Sequence, residues 1–191
     1  VSQASRLPYL NEDQLDDDAR RVWDDITSGK RGSKADLTTP EGGLVGPFNA
    51  LVHARRVGEY VAKLGEVLRF DGSLDPQLRE MATVTVGVHW KAEFEIWAHS
   101  RLARAAGVAD EIVDALTRGE TPEFADATQT TVHRVTRELL ETGQVGDDTY
   151  EAAVEALGYQ GVTELVALVG YYSLVSFTLN AFRVPVPSAS A

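Results

Sequence analysis

Apolar residues recur along this chain at helical spacing, and nowhere over a useful length at the alternation that marks a strand. Leu15, Ala19, Val22, Trp23 and Ile26 form the first stripe. Asn11 and Gln14 precede it in capping-box register and Gly29 follows it, so a helix is predicted over about 12–28. Residues 30–46, rich in Gly, Ser, Thr and charge, interrupt the pattern and read as a long loop. Pro47 suits the first turn of a short helix reaching about His53. In the next helix Val57, Tyr60, Val61, Leu64, Val67 and Leu68 share one side, and Asp71-Gly72 ends it. Asp75-Pro76 supplies an N-cap and a first-turn proline for a helix that opens the richest stretch, 78–107. Beyond Gly107 the pattern predicts helices over 109–117, 123–142, 147–157 and about 161–182. The last is apolar on nearly every side, as a buried or interface helix is. Glu164, Tyr171, Tyr172, Ser173, Ser176, Thr178 and Asn180 argue against its crossing a membrane. In so small a protein it points to subunit contacts, and the Pro-containing tail 183–191 reads as an arm that wraps a neighbour. The expected architecture is all-α, about eight helices in a single domain spanning 1–191.

Composition narrows the partners. At 191 residues, 43% hydrophobic and 25% charged, the chain is long enough to bury a substantial core. A net charge of −11 and no basic cluster longer than Arg55–Arg56 exclude nucleic acid as an expected partner. There is no cysteine, so disulfides and thiol-based peroxidase chemistry are excluded in this chain. No basic region followed by an apolar run is visible at the N-terminus, and a cytoplasmic setting without membrane association is expected.

Candidate chemistry concentrates in 78–107, where acids, histidines and tryptophans crowd into a mostly apolar helical pattern. Glu95 and His99 stand four residues apart, so they share a helix face and can meet. Glu80 lies fifteen residues before Glu95, roughly 22 Å away on an unbroken helix. The three can share a site only if the chain folds back between them, and Gly87 with His89, Trp90 and Lys91 offers the break. A Glu–His pair at this spacing is also common on helix surfaces, where it adds a few tenths of a kcal/mol. His89 and Glu93 make a second such pair; residues 89 and 99 project about 80° apart on one helix, which disfavours a shared metal. Trp90, Phe94 and Trp97 are core positions first and a substrate wall second. Arg55 is a candidate cation for an anionic substrate, against the alternative of an ordinary surface ion pair.

The same stretch resembles the carboxymuconolactone decarboxylase family within the AhpD-like group, from GPFNALVHARR at Gly46 to LNAFRVPVP ending at Pro187. In the redox members of that group a C-x-x-C-x-x-x-H motif follows a helical Glu by twelve residues. Laid on this chain, the Glu is Glu80, the histidine is His99, and the cysteine positions hold Ala92 and Glu95. The resemblance implies an AhpD-like helical fold, a trimer or hexamer, and a loop at 30–46 that leads into the pocket as a candidate lid, against the alternative of a disordered surface excursion. It also implies decarboxylation of a lactone acid without metal or organic cofactor; Glu80 and His99 match the family pattern, and with Glu95 they make up the acid–base set that the residues themselves offer. Two readings stand: a cofactor-independent lyase or isomerase acting on a small carboxylated or carbonyl compound, or a non-catalytic oligomeric scaffold that kept the fold without the thiols. An adaptor for a peroxiredoxin fails for want of cysteine.

Overall fold

The computed structural model describes residues 5–33, 36–124 and 126–187. Among the described residues eight helical spans follow one another: α1 (Asp17–Ser28), α2 (Phe48–Ala54), α3 (Arg56–Phe70), α4 (Pro76–His89), α5 (Glu93–Ala105), α6 (Asp110–Thr117), α7 (Ala127–Thr142) and α8 (Asp147–Phe182), the last interrupted at Gly158. Among the described residues the extended structure is a single antiparallel bridge, Thr38 to Leu44. The all-α expectation holds.

The chain divides into two compact units, one of residues 1–71 with 178–191 and one of residues 72–177. In the first, Ala19, Val22, Trp23 and Ile26 of α1 pack with Leu44, Leu51, Val52 and Ala62. The helix expected from 12 starts later. Glu12–Gln14 is a 3₁₀ turn, Leu15 is extended, and Asp16 caps α1 by accepting from the Ala19 N–H at 2.9 Å. Within 36–46 the backbone reverses about Gly42, at φ 85°, and buries Leu44 completely; residues 34 and 35 of the expected loop lie outside the described residues. In α3 the expected apolar side is mostly exposed: Val57, Tyr60, Leu64 and Val67 face outward. Its buried face is Gly58, Ala62, Gly65 and Leu68, because α3 approaches α2 closely; a Cβ on Gly58 would stand 1.9 Å from the Leu51 carbonyl oxygen. The segment 5–7 is held to the end of α8, the Arg6 N–H donating to the Phe182 carbonyl at 2.8 Å. The distal tail, 188–191, lies outside the described residues.

The second unit carries the richest stretch. α4 runs from its Asp75 cap through Gly87 to His89; the turn falls at Trp90–Ala92, with Lys91 left-handed at φ 54°. Gly87 is therefore a contact and not the break. A Cβ there would stand 3.3 Å from Glu95 Cβ and 3.4 Å from the Ile96 nitrogen, so its lack of a side chain lets α5 lie against α4. Gly87→Ala should accordingly forgo the gain of roughly 1 kcal/mol that Gly→Ala brings in an open helix. We expect a fall in the urea midpoint, and a rise would contradict the contact.

α7 begins at Ala127, later than expected, because the Asp126 carboxylate caps it from the Thr128 N–H at 2.6 Å. The break expected at Gly158 is present: with φ 67° and ψ 172° that residue is not helical, so α8 is two helical segments that meet at a kink there. α8 is long and apolar enough to cross a membrane by length and composition, a property that core helices share. Here Val162, Leu165, Leu168, Val169 and Val175 are buried, and Glu164 accepts from the Ser73 N–H at 2.6 Å. Val166, Gly170, Leu174 and Phe177 leave one exposed, mostly apolar stripe along it.

Candidate functional site

The turn at Trp90–Ala92 sets α5 against α4, and this brings Glu80, Glu95 and His99 together. His99 Nδ1 lies 2.6 Å from Glu80 Oε2. Its other ring nitrogen, Nε2, lies 3.1 Å from Glu95 Oε1, the contact that i, i+4 spacing makes possible. All three side chains are almost fully removed from solvent, Glu80 and Glu95 at 3% and His99 at 6% exposure, so the surface-pair alternative does not apply. Arg79, next to Glu80 in sequence, turns its guanidinium onto Glu80 Oε1, with Nε and Nη2 each at 3.3 Å. The Tyr172 ring of α8 meets His99 edge to face, centroids 4.9 Å apart.

Burial alone would pull the His99 pKa down. The Glu95 charge, hydrogen bonds to Glu80 and Glu95, and the Glu80 charge outweigh it and hold the pKa at about 9 against an ordinary 6.5. At neutral pH the ring is thus an imidazolium with a carboxylate at each nitrogen. Because the folded protein binds this proton more tightly than the unfolded chain, the stabilisation is fully present below about pH 6.5 and is lost as pH rises through about 9. The unfolding free energy from urea titrations should therefore fall across that window, by an amount on the order of 3 kcal/mol. A His99→Gln protein should lack this component, and an unchanged free energy in the wild type would contradict the raised pKa.

The other candidate residues fall elsewhere. Trp90 is half-buried; its indole N–H donates to Ser173 Oγ at 2.9 Å and its ring meets Phe177 at 4.6 Å, both on α8. Phe94 and Trp97 pair with each other at 5.5 Å. Projected at about 100° per residue, both lie on the side of α5 turned away from Glu95 and His99, so they share no wall with that pair. Arg55 belongs to the other unit, where Nη2 pairs with Asp16 Oδ2 at 2.7 Å. His89 packs edge-on against Trp90 at 4.6 Å and Glu93 is exposed. Among the described residues no group of three or more His, Asp or Glu side chains is arranged to hold a metal ion.

Sequence reasoning missed Arg79 and Tyr172. Arg79 has a signal in its adjacency to Glu80, but nothing local marks which way the guanidinium turns. Tyr172 lies far along the chain from His99, and spacing carries no information at that separation.

Residues 55–138 match the model of the carboxymuconolactone decarboxylase family. No curated protein sequence matches the chain significantly. Among solved structures, an uncharacterised peroxidase-related protein with an alkylhydroperoxidase AhpD core from Ralstonia eutropha JMP134 aligns with TM-score 0.75 at 17% identity, over 98% of this chain and 95% of that one. An uncharacterised peroxidase-related protein from Silicibacter sp. TM1040 aligns at 0.69 and 16%, over 98% and 93%. A protein of unknown function from Agrobacterium tumefaciens aligns at 0.60 and 12%, over 70% and 92%. At these identities the likeness is one of fold.

Proposed function

We propose, from a chain that carries the carboxymuconolactone decarboxylase family segment at residues 55–138 on an AhpD-like all-α fold, that it is a cofactor-independent lyase removing CO₂ from a small lactone or oxo acid. The observation that carries this reading is the buried ring of His99 held between the carboxyl groups of Glu80 and Glu95. Glu95 occupies a position where the redox members of the group have a cysteine, so this site holds acid–base groups in place of thiols.

The two contacts of the ring are unequal. Glu80 takes Nδ1 at 2.6 Å and is itself gripped by Arg79, which fixes the ring and favours its charged form. The contact of Nε2 with Glu95, at 3.1 Å, is longer, which makes its proton the one to be delivered. In the proposed step the substrate C–CO₂⁻ bond breaks, its electrons pass into the adjoining carbonyl or lactone system as an enolate, and CO₂ departs neutral. The imidazolium stabilises the developing enolate and then protonates its carbon from Nε2; solvent returns the proton. The Glu95 carboxylate, buried beside that proton, disfavours a second carboxylate there and so favours its loss as CO₂.

A panel of small unsaturated lactone acids and 2-oxo acids in D₂O tests this directly. A decarboxylase releases CO₂ and leaves one deuterium at the carbon that lost it; the scaffold reading expects neither from any member.

We propose also that the protein self-associates, as a trimer or hexamer. What supports this is the exposed apolar stripe of α8, Val166, Leu174 and Phe177, and that of α3, Val57, Tyr60, Leu64 and Val67. Light scattering should give a mass several times the 20.8 kDa of one chain, reduced by Leu174→Glu or Leu64→Glu. A monomer at micromolar concentration would remove the proposal.

A further inference from the structure

Within the second unit, most buried or half-buried Ser and Thr hydroxyls on helices donate to a carbonyl one turn back, and the buried Thr149 donates instead to Glu138 Oε1 at 2.6 Å. Thr83 bonds the Arg79 carbonyl at 2.9 Å, Thr85 that of Met81 at 2.9 Å, and Ser100 that of Ile96 at 2.6 Å. Thr136 bonds that of Val132 at 2.8 Å and Ser173 that of Val169 at 2.8 Å. Ser176 does neither. Its residue is 0% exposed, and its Oγ makes no hydrogen bond among the described residues. A buried hydroxyl without a partner costs free energy that alanine at the same place would not incur.

The position of Ser176 says where its partner belongs. On α8 it lies about 40° round from Tyr172 and about 60° from Ser173. Tyr172 is the residue whose ring meets His99, and Ser173 is the one that holds the Trp90 indole N–H. Ser176 therefore sits inside the face of α8 that packs on the acid–base site, one turn further along from Tyr172.

We infer that the Ser176 hydroxyl is a ligand-binding group of the His99 site, hydrogen-bonding a carboxylate or carbonyl oxygen of the bound molecule. This rests on the proposed lyase reading for the choice of ligand class, and not for the placement of the hydroxyl. It gives the site a polar contact from α8, so that one end of the ligand is held there while the other meets the proton carrier. Ser176 is a binding residue in this account; the proton transfers belong to the His99 group.

The probe is 5-oxotetrahydrofuran-2-carboxylate, a saturated lactone acid that can bind without an unsaturated system to receive the electrons of decarboxylation. Its affinity is measured by calorimetry on the full wild-type chain and on Ser176→Ala. The expected result is binding about 10–100-fold weaker in the variant, with the free variant melting no lower than wild type, since no hydrogen bond of the free protein is removed. Equal affinity in the two proteins, as when Oγ holds only an ordered water, overturns the inference. So does binding by neither, and so does a clearly lower melting temperature of the free variant, which marks a structural hydroxyl. If the probe binding depends on the hydroxyl but no acid of the panel is turned over, the lyase reading fails alone. If the wild type decarboxylates a panel acid and Ser176→Ala leaves both KM and probe affinity unchanged, the present inference fails alone.

Discussion

Replacing His99 by alanine is expected to lower turnover of an accepted lactone acid by about 10²–10⁴-fold, the usual contribution of a positioned general acid. The same change should weaken the fold, because it leaves Glu80 and Glu95 facing each other with the shared cation gone. Breaking a buried charge set in this way typically costs roughly 3–5 kcal/mol. Arg79 still neutralises part of Glu80, which places the loss toward the lower figure. The two effects are separated by His99→Gln, whose amide can still donate to one carboxylate but cannot carry a proton. It should recover part of the stability and none of the turnover. Wild-type turnover by a folded His99→Ala protein, with fold checked by circular dichroism, would end the proposed mechanism.

Glu95→Gln should also slow turnover strongly, by about 10²-fold or more, while preserving shape and hydrogen-bonding reach. Its effect should not add to that of His99→Ala, because groups acting as one unit are non-additive. With the Glu95 charge removed, the His99 pKa falls, so the surviving activity should shift to lower pH. Glu80→Gln should move the pH profile in the same direction. It should in addition loosen the ring, since the 2.6 Å contact at Nδ1 then loses its charge assistance. If each substitution changed only the melting temperature and left the pH profile of turnover in place, the carboxylates would be structural.

Much of this arrangement was legible before any coordinates, for reasons that differ by residue. The Glu95–His99 contact follows from helical periodicity, which fixes neighbours one turn apart wherever the helix lies. Glu80 needed the fold-back, and the sequence marked its region but not its place. Gly87 read as part of the break together with His89, Trp90 and Lys91, and the turn falls on Trp90 and Lys91. In the folded chain Gly87 is helical, and it is small because α5 presses on it. The α3 stripe shows the limit of amphipathic reasoning: periodicity says that Val57, Tyr60, Leu64 and Val67 share a side. It does not reveal that the side made of Gly58, Ala62 and Gly65 is the one buried within its unit. The contributions of α8, Tyr172 and Ser176, come from far along the chain and depend on helix packing, which local patterns do not encode. The pairing of Phe94 with Trp97 was open to the same projection that joins Glu95 to His99. Both aromatics lie on the opposite side of α5.

The central claim is that Glu80, His99 and Glu95 hold one proton-bearing unit, buried and charged at neutral pH. A titration of the His99 imidazole by ¹⁵N NMR, assigned with His99→Gln, tests it without knowledge of any substrate. The account predicts both ring nitrogens protonated at pH 7 and a transition near 9. A neutral tautomer at pH 7, with a transition at or below the ordinary 6.5, would contradict it.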